Sequence, residues 1–156
     1  MSDWLDFALP LVIYFEGCEK RRGGMVYPYL DRLASPPVWT RGYGRTYGIC
    51  EDSPGITGEE AKKELREGLV SYSCAMLKLA APIAAKPQSH AAVVSWCWNC
   101  GIGAFRVSRL RRAINEGNWE KAAVLIAKPR TAGGVELKGL VRRRDAEAAL
   151  FIKGIR

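Results

Sequence analysis

The sequence predicts an α+β fold in which a small β-containing lobe packs on helices and a long helix joins it to a larger helical lobe. Three observations carry this prediction. Apolar residues recur at helical spacing near both ends of the chain, glycine, proline and tyrosine dominate an early segment, and a helix-start signal follows it. We expect one domain, residues 1–156, with a β-rich lobe over about 23–55, a connecting helix over about 57–81, and a helical lobe from 1–22 and 82–156.

The first apolar segment is typical of a core helix. Apolar residues recur at spacings of three and four over residues 3–15, and Asp3 suits the positive end of a helix. Pro10 is the exception within this pattern, and the alternative is a helix that begins near Leu9 with proline in its first turn. In both versions Glu16 lies at the end of the segment, beside Gly17 as a natural stop.

This segment does not have the features of a membrane span or a secretory signal. It is far shorter than the roughly 20 apolar residues that a spanning helix needs. Basic residues do not precede it, and a small-residue cleavage site does not follow it. We therefore expect synthesis in the cytoplasm without a signal peptide, and no stable membrane insertion.

The middle of the chain predicts short strands followed by a long helix. Residues 23–55 suggest a hairpin or a three-stranded sheet, with turns at Pro36-Pro37 and Asp52–Gly55. Thr57 and Glu60 have the spacing of a capping box, in which each side chain satisfies the other's backbone amide. The helical period continues to about Ala81, where Pro82 ends it.

The last third of the chain is helical in period and interrupted by turns. The predicted helices cover 88–99, 107–116, 119–126 and 142–152, with glycine-containing breaks at 101–103, 116–118 and 132–134.

The positive net charge favours polyanionic partners but does not distinguish between the classes of polyanion. The net charge of +8 and the pI near 9.4 favour contact with polyanions such as nucleic acid, acidic lipid or an anionic cell wall. The alternative is a solvated basic face, with clusters at 106–112 and 142–144. Nucleic acid is not favoured, because neither an aromatic RNA motif nor a recognition helix accompanies the charge.

The cysteines indicate neither a metal site nor a cofactor. Five cysteines without an export signal are expected to be reduced thiols. Cys97 and Cys100 have CxxC spacing, but zinc needs about four ligands and His90 is the sole histidine. Because the pair sits inside an apolar run, buried thiols are favoured over a redox or zinc site.

Three side chains in the first 40 residues suggest hydrolytic chemistry. Glu16 follows an apolar segment whose desolvation favours the protonated, acid form of a carboxyl. Asp31 in a turn-rich region would stay ionised and orient water or oppose positive charge, and the hydroxyl of Thr40 could hold that water. The alternatives are a helix-end glutamate, a turn aspartate and a strand threonine.

These residues sit in an ordered set of motifs that resembles the phage-type lysozymes, the endolysin family of glycoside hydrolase family 24. The matching blocks run from about residue 9 to residue 151 in the family's order. They are Glu16-Gly17, Tyr29-Leu30-Asp31, Trp39 to Thr46, Trp98 to Phe105, Ala132-Gly133-Gly134 and Gly139 to Glu147.

The resemblance implies a lysozyme-like α+β fold with a cleft between the two lobes. It implies hydrolysis of the β-1,4 bond between N-acetylmuramic acid and N-acetylglucosamine in peptidoglycan, with inversion of configuration. Glu16 takes the proton-donor position, Asp31 that of the second carboxylate, and Thr40 that of the water-positioning hydroxyl. Sugar and stem-peptide contacts are expected from Trp98, Asn99, Ser108, Arg142 and Arg143.

The chain departs from the family pattern in three places. Lys20 to Gly24 lengthens the segment before Tyr29, and Ala34 to Pro37 lengthens the segment between Asp31 and Thr40. Arg45 stands where the family usually has histidine. Because the two lengthened segments flank Asp31, its assignment as the second carboxylate depends on where the extra residues fall in the alignment.

The leading hypothesis is a monomeric endolysin that lyses the bacterial wall without a cofactor. Lacking a signal, it would reach the periplasm through a pore made by a separate, holin-type protein. A second hypothesis is a catalytically weak, peptidoglycan-binding module that keeps the lysozyme fold. Binding to the wall without release of reducing ends would favour the second.

Overall fold

The computed structural model of the chain describes residues 3–18, 21–128, 131–132 and 135–156. Two units are present: the strand unit, Val12–Gly68, and the helical unit, Met1–Leu11 with Leu69–Arg156. Within the described residues, no helix combines the length and apolar character that crossing a bilayer requires.

Helix α1 spans Trp4–Glu16, close to the predicted bounds. Pro10 lies inside it, so the alternative start near Leu9 is wrong. A proline in a helix interior costs about 3 kcal/mol because a hydrogen bond is lost. The helix persists through it because apolar side chains on both sides of the proline are buried at helical spacing, namely Leu5, Ala8 and Val12.

The strand unit contains both of the arrangements that its sequence suggested. Strands β1 (Arg21–Arg22), β2 (Met25–Val26) and β5 (Ile56–Thr57) form an antiparallel sheet in the order β1-β2-β5. Strands β3 (Tyr29–Asp31) and β4 (Val38–Thr40) form a separate antiparallel hairpin. All five strands are short, so the positions of their side chains depend on the turns between them.

Helix α2, Gly58–Leu77, begins with the predicted capping box. The Thr57 amide donates to Glu60 Oε2 at 2.7 Å, and the Glu60 amide donates to Thr57 Oγ1 at 3.1 Å. These bonds lower the pKa of the Glu60 carboxyl. The predicted end at Ala81 is wrong, because the Leu79 amide instead bonds the Met76 carbonyl at 2.9 Å and closes a tighter turn.

The helical unit continues after a 3₁₀ helix at Ala81–Ala85. Its elements are α3 (Pro87–Cys100), α4 (Ile102–Val107), α5 (Arg109–Asn115), α6 (Trp119–Ile126), β6 (Thr131–Ala132), β7 (Val135–Glu136) and α7 (Lys138–Ile155). Helix α3 packs against α7, and α5 packs against α6. Strands β6 and β7 pair antiparallel.

The predictions for α3 and α6 are confirmed, whereas the region between α3 and α5 differs from the prediction. The helical path is interrupted at Gly101, with a φ of 89°, and again at Ser108, with a ψ of 151°, and α4 lies between these two residues. Helix α7 is longer than predicted and begins at Lys138. The predicted break at Gly133-Gly134 and the inserted Lys20 lie outside the described residues.

Helices α3 and α7 approach closely at one glycine. A β-carbon on Gly154 would collide with the Ser89 side chain and backbone. The Ser89 hydroxyl donates to the Phe151 carbonyl at 2.7 Å, and Phe151 itself is fully buried. A side chain at position 154 would therefore force the two helices apart.

His90 on α3 is buried in the helical unit with a polar and an aromatic neighbour. Its Nε2 lies 2.7 Å from the Ser73 hydroxyl, and its ring stacks on Trp4 with centroids 4.6 Å apart. Burial lowers the pKa of His90 from 6.5 to about 4, although Asp3 acts in the opposite direction. The folded protein therefore holds this imidazole neutral near neutral pH.

This depressed pKa predicts a loss of stability at mildly acidic pH. Below pH 6.5 the unfolded chain takes up a proton at His90, while the folded chain resists it until about pH 4. The free energy of unfolding should fall by roughly 2–3 kcal/mol from this group between about pH 7 and about pH 4.5. Denaturant unfolding at both pH values, in wild type and His90→Gln, measures it. An equal fall in both proteins would contradict the prediction.

Candidate active site

Glu16 is the last residue of α1, at the helix end that the sequence predicted. Gly17 adopts a φ of 61°, and its amide donates to the Ile13 carbonyl at 3.2 Å, which closes the helix. The Glu16 side chain is half-buried, whereas Tyr14 is 78% exposed. Glu16 belongs to the strand unit together with Asp31 and Thr40.

Asp31 ends strand β3 and begins the turn toward β4. Its Oδ1 accepts a hydrogen bond from the Leu33 amide at 2.9 Å, the arrangement of an Asx turn. The carboxylate is half-buried. One of its oxygens thus holds the turn, while Oδ2 is available for a second role.

Thr40 lies on strand β4 and shares a face with Asp31. The register places Asp31 opposite Val38 and Tyr29 opposite Thr40. Since alternate residues of a strand point to one face, Asp31 and Thr40 are diagonal neighbours, a relation that separates residues by about 7–8 Å. Thr40 is only 4% exposed, and its hydroxyl donates to the Val38 carbonyl at 3.3 Å.

The turn after Thr40 is attached to α2 by a buried arginine that sequence reasoning missed. Arg41 donates to the Pro54 carbonyl at 2.7 Å and to Glu64 Oε1 at 2.5 Å. Arg45 Nη1 lies 3.5 Å from the same Glu64 oxygen. Because 23 residues separate Arg41 from Glu64, no local pattern could have paired them.

Trp98 and Asn99 lie near the C-terminal end of α3, in the helical unit. Trp98 is half-buried, and its ring tilts against Tyr72 with centroids 5.0 Å apart. Burial raises the pKa of the Tyr72 hydroxyl. The Asn99 side chain is exposed, but its Oδ1 accepts a hydrogen bond from Arg144, so its amide group remains available as a donor.

Ser108 joins helices α4 and α5. Its hydroxyl accepts the Arg111 amide at 3.0 Å as the N-cap of α5 and donates to the Phe105 carbonyl at 2.8 Å. Both hydrogen-bonding directions of the hydroxyl therefore serve the local fold. A contact with a ligand would have to use the second lone pair of its oxygen.

The two predicted arginines of α7 occupy opposite environments. Arg142 is exposed, whereas Arg143 is 4% exposed and donates to Glu147 Oε1 at 3.1 Å and to the Ser95 carbonyl at 3.2 Å. Arg144 donates to the other Glu147 oxygen. An arginine followed four residues later by glutamate is a helical ion-pair pattern, and this was the available sequence signal.

Glu147 is the centre of this buried network between α3 and α7. The Ser95 hydroxyl donates to its Oε1 at 2.7 Å, and two guanidinium groups bind the same carboxyl. Burial raises the pKa of Glu147, and the charges of Arg144 and Arg143 oppose this shift. The network fixes the end of α3 that carries Asn99.

Cys97 of the CxxC pair has the buried environment of a structural thiol. Cys97 is fully buried, and burial raises the pKa of its thiol, with Cys100 and Glu147 adding to the shift. A raised pKa disfavours the thiolate that redox chemistry and metal binding need. Among the described residues, no three His, Cys, Asp or Glu side chains form a group that could hold a metal ion.

Comparison with known proteins matches most of the chain to one protein family, the family whose motifs the sequence resembles. The family model described as phage lysozyme matches residues 15–147. The endolysins of Bacillus phage B103 and Bacillus phage PZA are each 34% identical over 116 residues, which is 74% of this chain. The chain spans less than half of those two relatives, 44% and 45% of their lengths.

A solved structure shows the corresponding fold. The muramidase domain of SpmX from Asticaccaulis excentricus superposes with a TM-score of 0.77 at 29% identity, covering 93% of this chain and 94% of that domain. The architecture is thus the lysozyme-like α+β fold that the sequence predicted. With the family model covering the segment from Phe15 to Glu147, the chain belongs to the phage lysozyme family.

Proposed function

We propose that this chain is a muramidase that hydrolyses the β-1,4 bond between N-acetylmuramic acid and N-acetylglucosamine in peptidoglycan. Membership of the phage lysozyme family is the observation that carries the proposal. The Asp31 and Thr40 side chains on one face of the β3–β4 hairpin support it, because glycoside hydrolysis needs a carboxylate and a held water.

The proposed roles follow from the chemistry of each group. Glu16, half-buried at the end of α1, donates a proton to the leaving glycosidic oxygen. Asp31 Oδ2 and the Thr40 hydroxyl hold a water for attack on the anomeric carbon, and Asp31 takes up the proton that this water loses. The carboxylate also opposes the positive charge of the oxocarbenium-like transition state. Attack by a water on the face opposite the leaving group inverts the anomeric configuration.

Substrate contacts are proposed for four residues of the helical unit. The half-buried Trp98 ring offers an apolar face to a sugar, and the Asn99 amide offers a donor. The second lone pair of Ser108 can accept a bond from a sugar hydroxyl. The exposed Arg142 suits a stem-peptide carboxylate, whereas the guanidinium of Arg143 is already used inside the fold.

The proposed setting is the bacterial wall. A monomer acts on the periplasmic side after synthesis in the host cytoplasm and passage through a holin-type pore. The net charge of +8 supports attraction to anionic wall material. We do not propose nucleic acid as a partner.

The test identifies the sugar at each newly formed reducing end. Purified sacculi are digested with the protein, reduced with borohydride and hydrolysed, and the sugar alcohols are quantified. A muramidase leaves N-acetylmuramic acid at the new reducing ends, and borohydride reduction followed by hydrolysis turns these ends into muramitol. Formation of glucosaminitol, or binding to sacculi without new reducing ends, would overturn the proposal, and the second result would favour a wall-binding module.

A further inference from the structure

Two segments of the strand unit, the turn after Thr40 and helix α2, are held together by one carboxylate. Glu64 on α2 binds Arg41 at 2.5 Å and lies 3.5 Å from Arg45. The two arginines are themselves joined by paired backbone hydrogen bonds of 2.9 Å and 3.1 Å. The turn between them is therefore fixed both along its backbone and through its side chains.

The turn lies close against α2 at Gly42. Gly42 has a φ of 63°, and a β-carbon there would lie 3.4 Å from the Ala61 side chain of α2. Tyr43, at the tip, is 5% exposed. The turn is thus packed directly on the helix that carries Glu64, and it begins at the residue after Thr40.

The geometry of the Arg41–Glu64 pair is that of a link between two segments and not that of a strong two-point ion pair. A two-point pair would use both carboxylate oxygens, but Arg41 divides its guanidinium between Glu64 on the helix and the Pro54 carbonyl on the loop. Within the described part of the chain, Arg41 Nε and Glu64 Oε2 have no hydrogen-bond partner. Buried ion pairs of this kind contribute little net stability, so positional control is the better account.

We infer that Glu64 is a positioning residue, which holds Arg41 so that Thr40, and through the hairpin Asp31, keep the orientation that hydrolysis needs. This inference rests on the proposed function. Arg41 directly follows Thr40 in the sequence. Thr40 pairs with Tyr29 in the same hairpin register that pairs Asp31 with Val38. Loss of the carboxylate frees the turn, and small displacements of positioned groups cost rate.

A double-mutant cycle tests whether Glu64 acts through Thr40. The proteins are wild type, Glu64→Gln, Thr40→Ala and the double variant, with kcat and KM measured on solubilised peptidoglycan under conditions where unfolding curves show each protein folded. We expect Glu64→Gln to lower kcat about 10- to 100-fold with KM nearly unchanged. The same substitution should have a much smaller effect in the Thr40→Ala background, because the hydroxyl it positions is absent and only the contribution through Asp31 is left.

Two further variants make the result decisive. Glu67→Gln, at an exposed position one turn along α2, should keep wild-type kcat. Arg41→Lys keeps a positive charge but cannot bridge both Glu64 and Pro54, so it should show the same dependence on Thr40 if Glu64→Gln fails to fold.

The outcomes separate this inference from the function it rests on. An active wild type whose Glu64→Gln and Thr40→Ala effects multiply independently would overturn the positioning role and leave the muramidase assignment intact. An equal loss of kcat in Glu67→Gln would also overturn it. A wild type that releases no reducing ends would overturn both.

Discussion

Glu16→Gln is expected to lower the rate of reducing-end release from sacculi by about 10²- to 10⁴-fold, the usual contribution of a general acid. Glutamine keeps nearly the same shape and can still hydrogen bond, but its amide is far too weak an acid to protonate the leaving oxygen. The half-buried position at the end of α1 should tolerate this near-isosteric change. The effect should therefore appear in kcat, with folding and sacculus binding retained.

Glu116→Gln is the matched control, because it removes the same charge from another helix end, the exposed C-cap of α5. Its rate should stay within about twofold of wild type, as surface substitutions rarely have larger effects. Comparable lysis by Glu16→Gln and Glu116→Gln would remove Glu16 from the mechanism. Product anomers followed by NMR would at the same time report inversion or retention.

Glu147→Ala is expected to give the largest loss of stability, about 3–5 kcal/mol. The substitution leaves Arg143 and Arg144 buried without their counter-charge and the Ser95 hydroxyl without its acceptor. For a chain of this length the loss corresponds to a fall in Tm of about 10 °C or more. Thermal and denaturant unfolding followed by circular dichroism measure it.

Asp145→Ala provides the reference, since Asp145 is exposed on the same helix two residues earlier. Its unfolding free energy should change by less than about 0.5 kcal/mol. If Glu147→Ala unfolds with the same midpoint as Asp145→Ala, the buried network does not hold α3 to α7. Glu147→Gln should be intermediate, because it keeps the hydrogen bonds with Ser95 and loses the charge.

The sequence was most informative where local chemistry decides the structure. The Thr57–Glu60 pair determined the start of α2 because its bonds lie within one turn. The apolar stripe of α1 predicted the helix correctly but could not decide the role of Pro10. That outcome depends on how much surface the neighbouring turns bury, which is a property of the folded chain.

The sequence was least informative where partners are distant along the chain. Arg143 was predicted to contact the stem peptide of the substrate. Its guanidinium instead lies buried against Ser95, which is 48 residues away along the chain. The Arg41–Glu64 contact has the same character. The pairing of Asp31 with Thr40 on one hairpin face could be predicted in part. The two residues are close in the sequence, but the extra residues from Ala34 to Pro37 lie in the turn that sets the hairpin register.

Thr57 has a consequence beyond the start of a helix. It is the last residue of β5, in register with Met25 of β2, and its amide and hydroxyl also complete the first turn of α2. Sheet and helix therefore share a residue with no linker between them. Fraying of the first turn of α2 releases the end of the sheet as well, so these two elements belong to one cooperative folding unit.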